Sequence, residues 1–271
     1  MRIAFYFLIW IITSAAHADD NALGQHKRCG SGIVSSVETG DKLTLDNGTR
    51  VVLAGIRAPS YLYKDAVFDP ARSWPYAKQS KDYLAKVILG KSITLHCLGN
   101  STDRHGRTIA QAMLFGKSIN QVMVKHGWAF AYPYKTQDNM AQRYYRVEDH
   151  ARAARLGIWR DTTYQPLPAS KPKDIPIGKF VIINGTVQTH GKARQDHYLN
   201  FGDDWKSDFT IKLNKTNVKH IQKRLGFPIK ALAGKQIEVR GWTEYGGGPM
   251  IELVHTARLR LIEDYKKPDT K

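Results

Sequence analysis

Short apolar runs separated by turn residues set the pattern from residue 30 to residue 60. Gly32-Ile33-Val34 begins one strand, Thr39-Gly40-Asp41 turns the chain, and Leu43-Thr44-Leu45 makes a second strand. Asp46-Asn47-Gly48 then supplies a tight hairpin before Arg50-Val51-Val52-Leu53, because Asn and Gly accept the backbone such turns need. The period next lengthens. Ala77, Tyr83, Leu84, Val87 and Ile88 recur at helical spacing across residues 76–89, and Gly90 stops them. Strands follow at 92–95 and 108–115, then helices at 119–126 and 142–156 that end at Gly127 and Gly157. The predicted order is β-β-β-α-β-β-α-α.

Residues 162–178 break the pattern with Pro166, Pro168, Pro172 and Pro176 and no period, which predicts a linker. Alternation resumes afterwards. Strands are predicted at 180–187, 198–201 and 208–213, a helix at 216–225, and strands at 236–242 and 250–254. That β-β-β-α-β-β order fits a small five-stranded Greek-key barrel of the OB type, an architecture that hosts many functions.

Composition narrows the class. A chain of 271 residues with 42% hydrophobic and 24% charged residues is neither disordered, collagen-like nor disulfide-dense. One block stands out: Arg2 precedes the run Ile3 to Ile12, and Ala16-His17-Ala18 follows. The run is shorter than the ~20 residues that cross a bilayer. A charged start, a short apolar core and an A-x-A end predict a secretory signal over 1–18, with the mature chain beginning near Asp19. An uncleaved N-terminal anchor is the alternative. Either places the folded part outside the cytoplasm, secreted or periplasmic, with no transmembrane span left once the signal is removed.

Charge adds a partner class. Lys+Arg number 41 against 24 Asp+Glu, a formal +17 spread over both halves. Such a field suits nucleic acid, acidic polysaccharide or anionic lipid, or serves solubility alone. Cys29 and Cys97 are the only cysteines. Two lone thiols in an oxidising compartment usually pair, and without a third or fourth sulfur no zinc–cysteine site is expected.

Particular residues carry a resemblance. Gly40-Asp41, Leu53-Ala54-Gly55-Ile56-x-Ala58-Pro59, Asp103-Arg104-His105-Gly106-Arg107, Ile119-Asn120, Gly127-Trp128-Ala129 and Gly157-Ile158-Trp159 occur in order. Over 32–159 the chain thereby resembles the staphylococcal nuclease (thermonuclease) family. The resemblance implies a five-stranded barrel with flanking helices. The expected fold class is therefore α+β, mostly β, with two such barrels at 19–161 and 179–265 and a tail at 266–271. It also implies neighbouring first and fourth strands, and hence a Cys29–Cys97 bond.

The family hydrolyses phosphodiesters with calcium, two metal carboxylates, a glutamate base and two arginines. Each role has a reason: calcium takes hard oxygen ligands, water needs a base within reach, and the transition state needs fixed cations. Carried over residue by residue, Asp41 keeps the first metal carboxylate and Arg107 the second arginine. Arg57 replaces the second metal carboxylate, Ser60 the base and Val52 the first arginine. Losing a base slows such chemistry by ~10²–10⁴ and losing one charge-stabilising donor by roughly 10²–10³. No cofactor is expected; calcium belongs only to the alternative of an active nuclease with a rearranged site. Arg50 and His105 are the residues that would stand in there, against ordinary roles as a hairpin-end charge and a turn residue.

The expected ligand site is Arg57, Arg104 and Arg107 at one mouth of the barrel, with Tyr132 and Tyr134 as stacking groups or as loop packing. In the second half, Lys215, Lys219 and Lys223 share a helical face, as a solvated surface or a phosphate stripe. Tyr198, Phe201 and Trp205 are further stacking candidates. Asp203, Asp204 and Asp208 read as a turn or an ion site, and Gly246-Gly247-Gly248-Pro249 as a hairpin connection. The functional expectation is an exported protein that binds nucleic acid or another polyanion, with calcium-dependent hydrolysis weak or lost. The alternatives are the active nuclease and an envelope protein that binds acidic glycans or a partner. Oligomeric state is open.

Overall fold

The structure, a computed structural model, describes residues 25–64, 67–69, 71–99, 101–134 and 138–262. The expected signal and the tail at 266–271 lie outside the described residues.

The first barrel is built from β1 (Lys27–Thr39), β2 (Lys42–Leu45), β3 (Arg50–Leu53), β4 (Ile56–Arg57), α1 (Ala77–Ile88), β5 (Ser92–Cys97) and β6 (Thr108–Leu114). β1 pairs antiparallel with β2 and β5, β2 with β3, and β5 with β6. A parallel β3–β6 pairing closes the ring. Closure leaves no free edge among these strands, and the apolar positions of each strand turn inward. Val34, Leu43, Leu45, Val51, Leu53, Ile93 and Leu95 fill the interior. β1 starts five residues before the predicted onset, because Lys27–Ser31 has no apolar alternation and is a strand only through its ladder to β5. That ladder places Cys29 beside Cys97, and the two are disulfide-bonded.

α1 lays Ala77, Ser80, Leu84 and Ile88 against the barrel. Then come α2 (Ile119–Lys125), β7 (Phe130–Ala131), which pairs with β4, and α3 (Asp138–Ala153). α3 begins and ends earlier than the predicted 142–156, since its first turn lacks the apolar spacing on which the prediction rests.

The second barrel repeats the plan with β8 (Phe180–Thr186), β9 (Thr189–Ala193), β10 (Asp196–Asn200), β11 (Thr210–Asn214), α4 (Lys215–Leu225), β12 (Gln236–Trp242), β13 (Glu244–Tyr245), β14 (Pro249–Glu252) and β15 (Leu259–Leu261). β8 and β12 lie in one sheet, and β9 and β13, which directly follow them in the chain, lie in the other. The circuit runs β8 to β12, β13 to β14, β14 parallel to β11, then β10 and β9. The strand β9 was missed from sequence because Thr-His-Gly-Lys-Ala shows no alternation of apolar residues. The helix sits between the third and fourth barrel strands in both halves.

The 162–178 segment predicted as a linker is laid down as structure. Leu167–Pro168 pairs in parallel with β8, and Ala169 and Ile175 are buried. A separate apolar cluster of Phe130, Ala151, Ile158, Trp159, Phe180 and Ile182 joins the two barrels.

Candidate functional site

The Thr39-Gly40-Asp41 turn joins β1 to β2 under α1. A Cβ on Gly40 would lie 1.9 Å from Ser80 Oγ, so only glycine lets the helix approach. Asp41 is buried, and its two oxygens are already engaged. Thr39 Oγ1 donates to Oδ1 at 2.6 Å and the Ala58 N–H donates to Oδ2 at 3.2 Å. Lys42 Nζ lies 3.7 Å away. The carboxylate straps the turn to the segment after β4.

β4 delivers Arg57 opposite Phe130 of β7. Its guanidinium carbon sits 5.3 Å from the Trp74 ring, 5.2 Å from Trp242 and 6.0 Å from Tyr132. Its Nε is buried without a hydrogen-bond partner. Three electron-rich faces therefore replace the carboxylates that a guanidinium usually seeks. The box is braced from behind. Trp74 stacks on Phe180 at 5.8 Å and meets Trp242 edge-on at 5.6 Å.

Both tyrosines are covered from the second half. Phe180 meets Tyr132 edge-on at 5.4 Å, and the Arg258 guanidinium lies 3.5 Å from the Tyr132 ring centre while Nε donates to Pro133 O. Burial, with the Arg57 charge nearby, lowers Arg258 to about 10. Tyr134 packs on His255 at 4.7 Å. The loop-packing role is the one these contacts describe.

The remaining predicted residues have local partners of their own. Arg107 Nε donates to Asp103 Oδ2 at 2.7 Å. Asp103 also accepts the N–H groups of His105 and Arg107. Burial pushes the Asp103 carboxyl up, but these hydrogen bonds and the Arg107 charge outweigh it and hold it at about 2. Arg104 Nε donates to His105 Nε2 on the exposed turn. Val52 is half-buried in β3, between Lys42 and Ile109. Ser60 holds Trp74 in place, its carbonyl accepting the Trp74 N–H. Arg50 is exposed at the start of β3.

The two positions that the resemblance assigns to metal carboxylates hold Asp41 and the Arg57 guanidinium. Each Asp41 oxygen accepts one hydrogen bond, a cation occupies the second carboxylate position, and no group of three or more Asp, Glu, His or Cys placed to hold a metal ion occurs among the described residues. In the second half, Phe201 is core, packed on Phe209 at 5.1 Å. Trp205 is exposed. Asp204 and Asp208 are taken up by their own turn, accepting the N–H groups of Lys206 and Asp204. Lys215, Lys219 and Lys223 face solvent.

Sequence reasoning missed the residues that seal the barrels together. Fully buried Arg240 donates to Glu148 at 2.9 Å and Ala131 O at 2.7 Å, and pairs with Glu238. Arg152 bridges Glu148 and Glu238 at 3.1 and 2.7 Å. Arg260 reaches Glu238 and Asp149. Three arginines thus balance three acids. The only sequence trace was Glu148 four residues before Arg152 on one helix face.

Comparison with known proteins agrees with the barrel. The family model described as staphylococcal nuclease homologue matches residues 50–161. A staphylococcal-like nuclease of Arabidopsis thaliana is 33% identical over 91 residues, 33% of this chain and 26% of that protein. A probable endonuclease of Schizophyllum commune is 32% identical over 147 residues, 49% and 48% of the two chains. An uncharacterized endonuclease of Haemophilus influenzae is 30% identical over 132 residues, 47% and 65%. The chain spans only part of the length of each of these relatives, and the family model's match ends at residue 161, before the second barrel. Residues 50–161 are thus similar to the staphylococcal nuclease family in sequence, and the first barrel is the fold that this similarity implies.

Proposed function

We propose that this protein binds nucleic acid or another polyanion on its basic surface, and that calcium-dependent phosphodiester hydrolysis is weak or lost. The observation that carries the reading is the caged Arg57 guanidinium, at the position where the resemblance puts a metal carboxylate. Ser60 has no basic side chain to activate water, and Val52 no charge to offer a pentacoordinate phosphate. The second barrel covers Tyr132, so a nucleotide would have to displace Phe180 or Arg258 to stack there. Secretion, or export to a periplasm, belongs to the same reading and is supported by the Cys29–Cys97 disulfide.

The test is cleavage of labelled single-stranded DNA by the intact protein in calcium, in magnesium and in EDTA, beside a binding isotherm at several salt concentrations. The reading expects cleavage at background in all three, and an affinity for DNA that falls steeply with salt. Calcium-dependent cleavage would instead establish the active nuclease that the relatives' names suggest. Salt-sensitive binding to an acidic glycan but not to DNA would favour the envelope protein.

A further inference from the structure

A cavity of about 250 Å³ opens on the first barrel between β6, α2 and α3, and it shares no lining residue with the Arg57 box. Its walls are apolar where Met113, Val122 and Met140 contribute. Deeper, Tyr144 Oη donates to Gln111 Oε1 at 2.6 Å, and Gln111 Nε2 donates to Ala54 O at 3.1 Å. This pair gives the cavity a rigid polar edge. Around it stand Lys117, Lys125 and Arg143.

No carboxylate lines the cavity among the described residues. Lys117 and Lys125 have no acidic partner among them either. Lys117 and Lys125 bring positive charge to an apolar hollow that has no carboxylate in its lining, which favours an anionic occupant. Polarisable methionines suit the face of a flat ring. The volume lies just under the ~300–1,000 Å³ of drug-sized sites, which limits the occupant to one compact unit.

We propose that this cavity binds a phosphate monoester carried on a flat ring system, the chemistry of a nucleoside monophosphate or of the phosphorylated end of a nucleic-acid strand. The cations hold the phosphate, Met113, Val122 and Met140 hold the ring, and Gln111 and Tyr144 define its edge. The inference is independent of the reading of the Arg57 cleft.

Methyl-labelled methionine provides the test on the full chain. Met113 and Met140 line the cavity, while Met123 in the core and Met250 in β14 serve as controls. AMP is expected to move the Met113 and Met140 signals saturably and leave Met250 in place. Adenosine and inorganic phosphate, each lacking one half of the recognised chemistry, are expected to bind about tenfold more weakly or less. Lys117→Glu with Lys125→Glu is expected to weaken AMP about tenfold or more, with Met123 and Met250 unmoved as proof of folding. A 5′-phosphorylated oligonucleotide that displaces AMP, where the unphosphorylated one does not, assigns the site to strand ends; failure of both assigns it to free nucleotides. Met113 and Met140 signals that ignore millimolar AMP, that respond equally to adenosine, or that respond undiminished in the double variant would overturn the proposal.

Discussion

Arg57 owes its place to three aromatic faces, each offering a guanidinium about 0.5–1 kcal/mol at an exposed site and about 2 kcal/mol where water is excluded. Arg57→Ala is therefore expected to destabilise the protein by about 2 kcal/mol in urea unfolding. Arg57→Lys should recover only part, since an ammonium is more strongly hydrated and has no plane to stack. Asp103 acts on the neighbouring question of whether Arg107 is available. Its carboxyl is held at about 2, below the ordinary value near 4. A depressed carboxyl stabilises the fold above the unfolded value and loses that contribution as pH falls from about 4 through 2. Unfolding stability of the wild type should thus fall toward that of Asp103→Asn over this interval, while a constant gap would refute the ion pair's part in it.

The elements explain which family-like motifs are retained. Asn120 is buried, with Nδ2 donating to Ala54 O and Ala110 O, and Oδ1 accepting the Ala112 N–H. It locks α2 onto the barrel. Gly127 and Gly157 face each other so closely that a Cβ on Gly127 would lie 2.3 Å from Leu156 O, and both have positive φ. Gly127→Ala is expected to destabilise by about 3 kcal/mol, combining backbone strain with a backbone clash. Reduction of Cys29–Cys97, which closes a separation of 68 residues, should remove up to ~4 kcal/mol by the chain-entropy model, measured as a lower urea midpoint under dithiothreitol. Gly127 and Gly157 were legible in sequence because each is a local backbone requirement, whereas Asn120, bonded to a carbonyl 66 residues away, and the Cys29–Cys97 pair were legible only through the resemblance. The strands of the first barrel were legible locally too, through Leu43, Leu45, Val51 and Leu53. β9 and the start of β1 were not, because only pairing partners far along the chain make Thr189–Ala193 or Lys27–Ser31 extended. Nor was the Arg57 box, since Trp74, Tyr132 and Trp242 are brought to it by three separate segments.

For the molecule as a whole, the consequence is that two barrels of one plan share a polar seam and an apolar cluster. Arg240 is fully buried between Glu148 and Glu238. Removing one partner of such a network leaves an uncompensated buried charge, and Arg240→Ala is expected to destabilise by about 3–5 kcal/mol. Differential scanning calorimetry should then show two transitions in place of one if the seam is what couples the halves. The same docking brings Phe180, Trp242 and Arg258 over the place where the resemblance expects metal and nucleotide. The most direct test of that account is a calcium titration of the intact protein by calorimetry, repeated with Asp41→Asn. The account predicts no saturable calcium binding below ~1 mM, weaker than the usual range of even low-affinity extracellular calcium modules. A saturable submillimolar site that disappears in Asp41→Asn would contradict it.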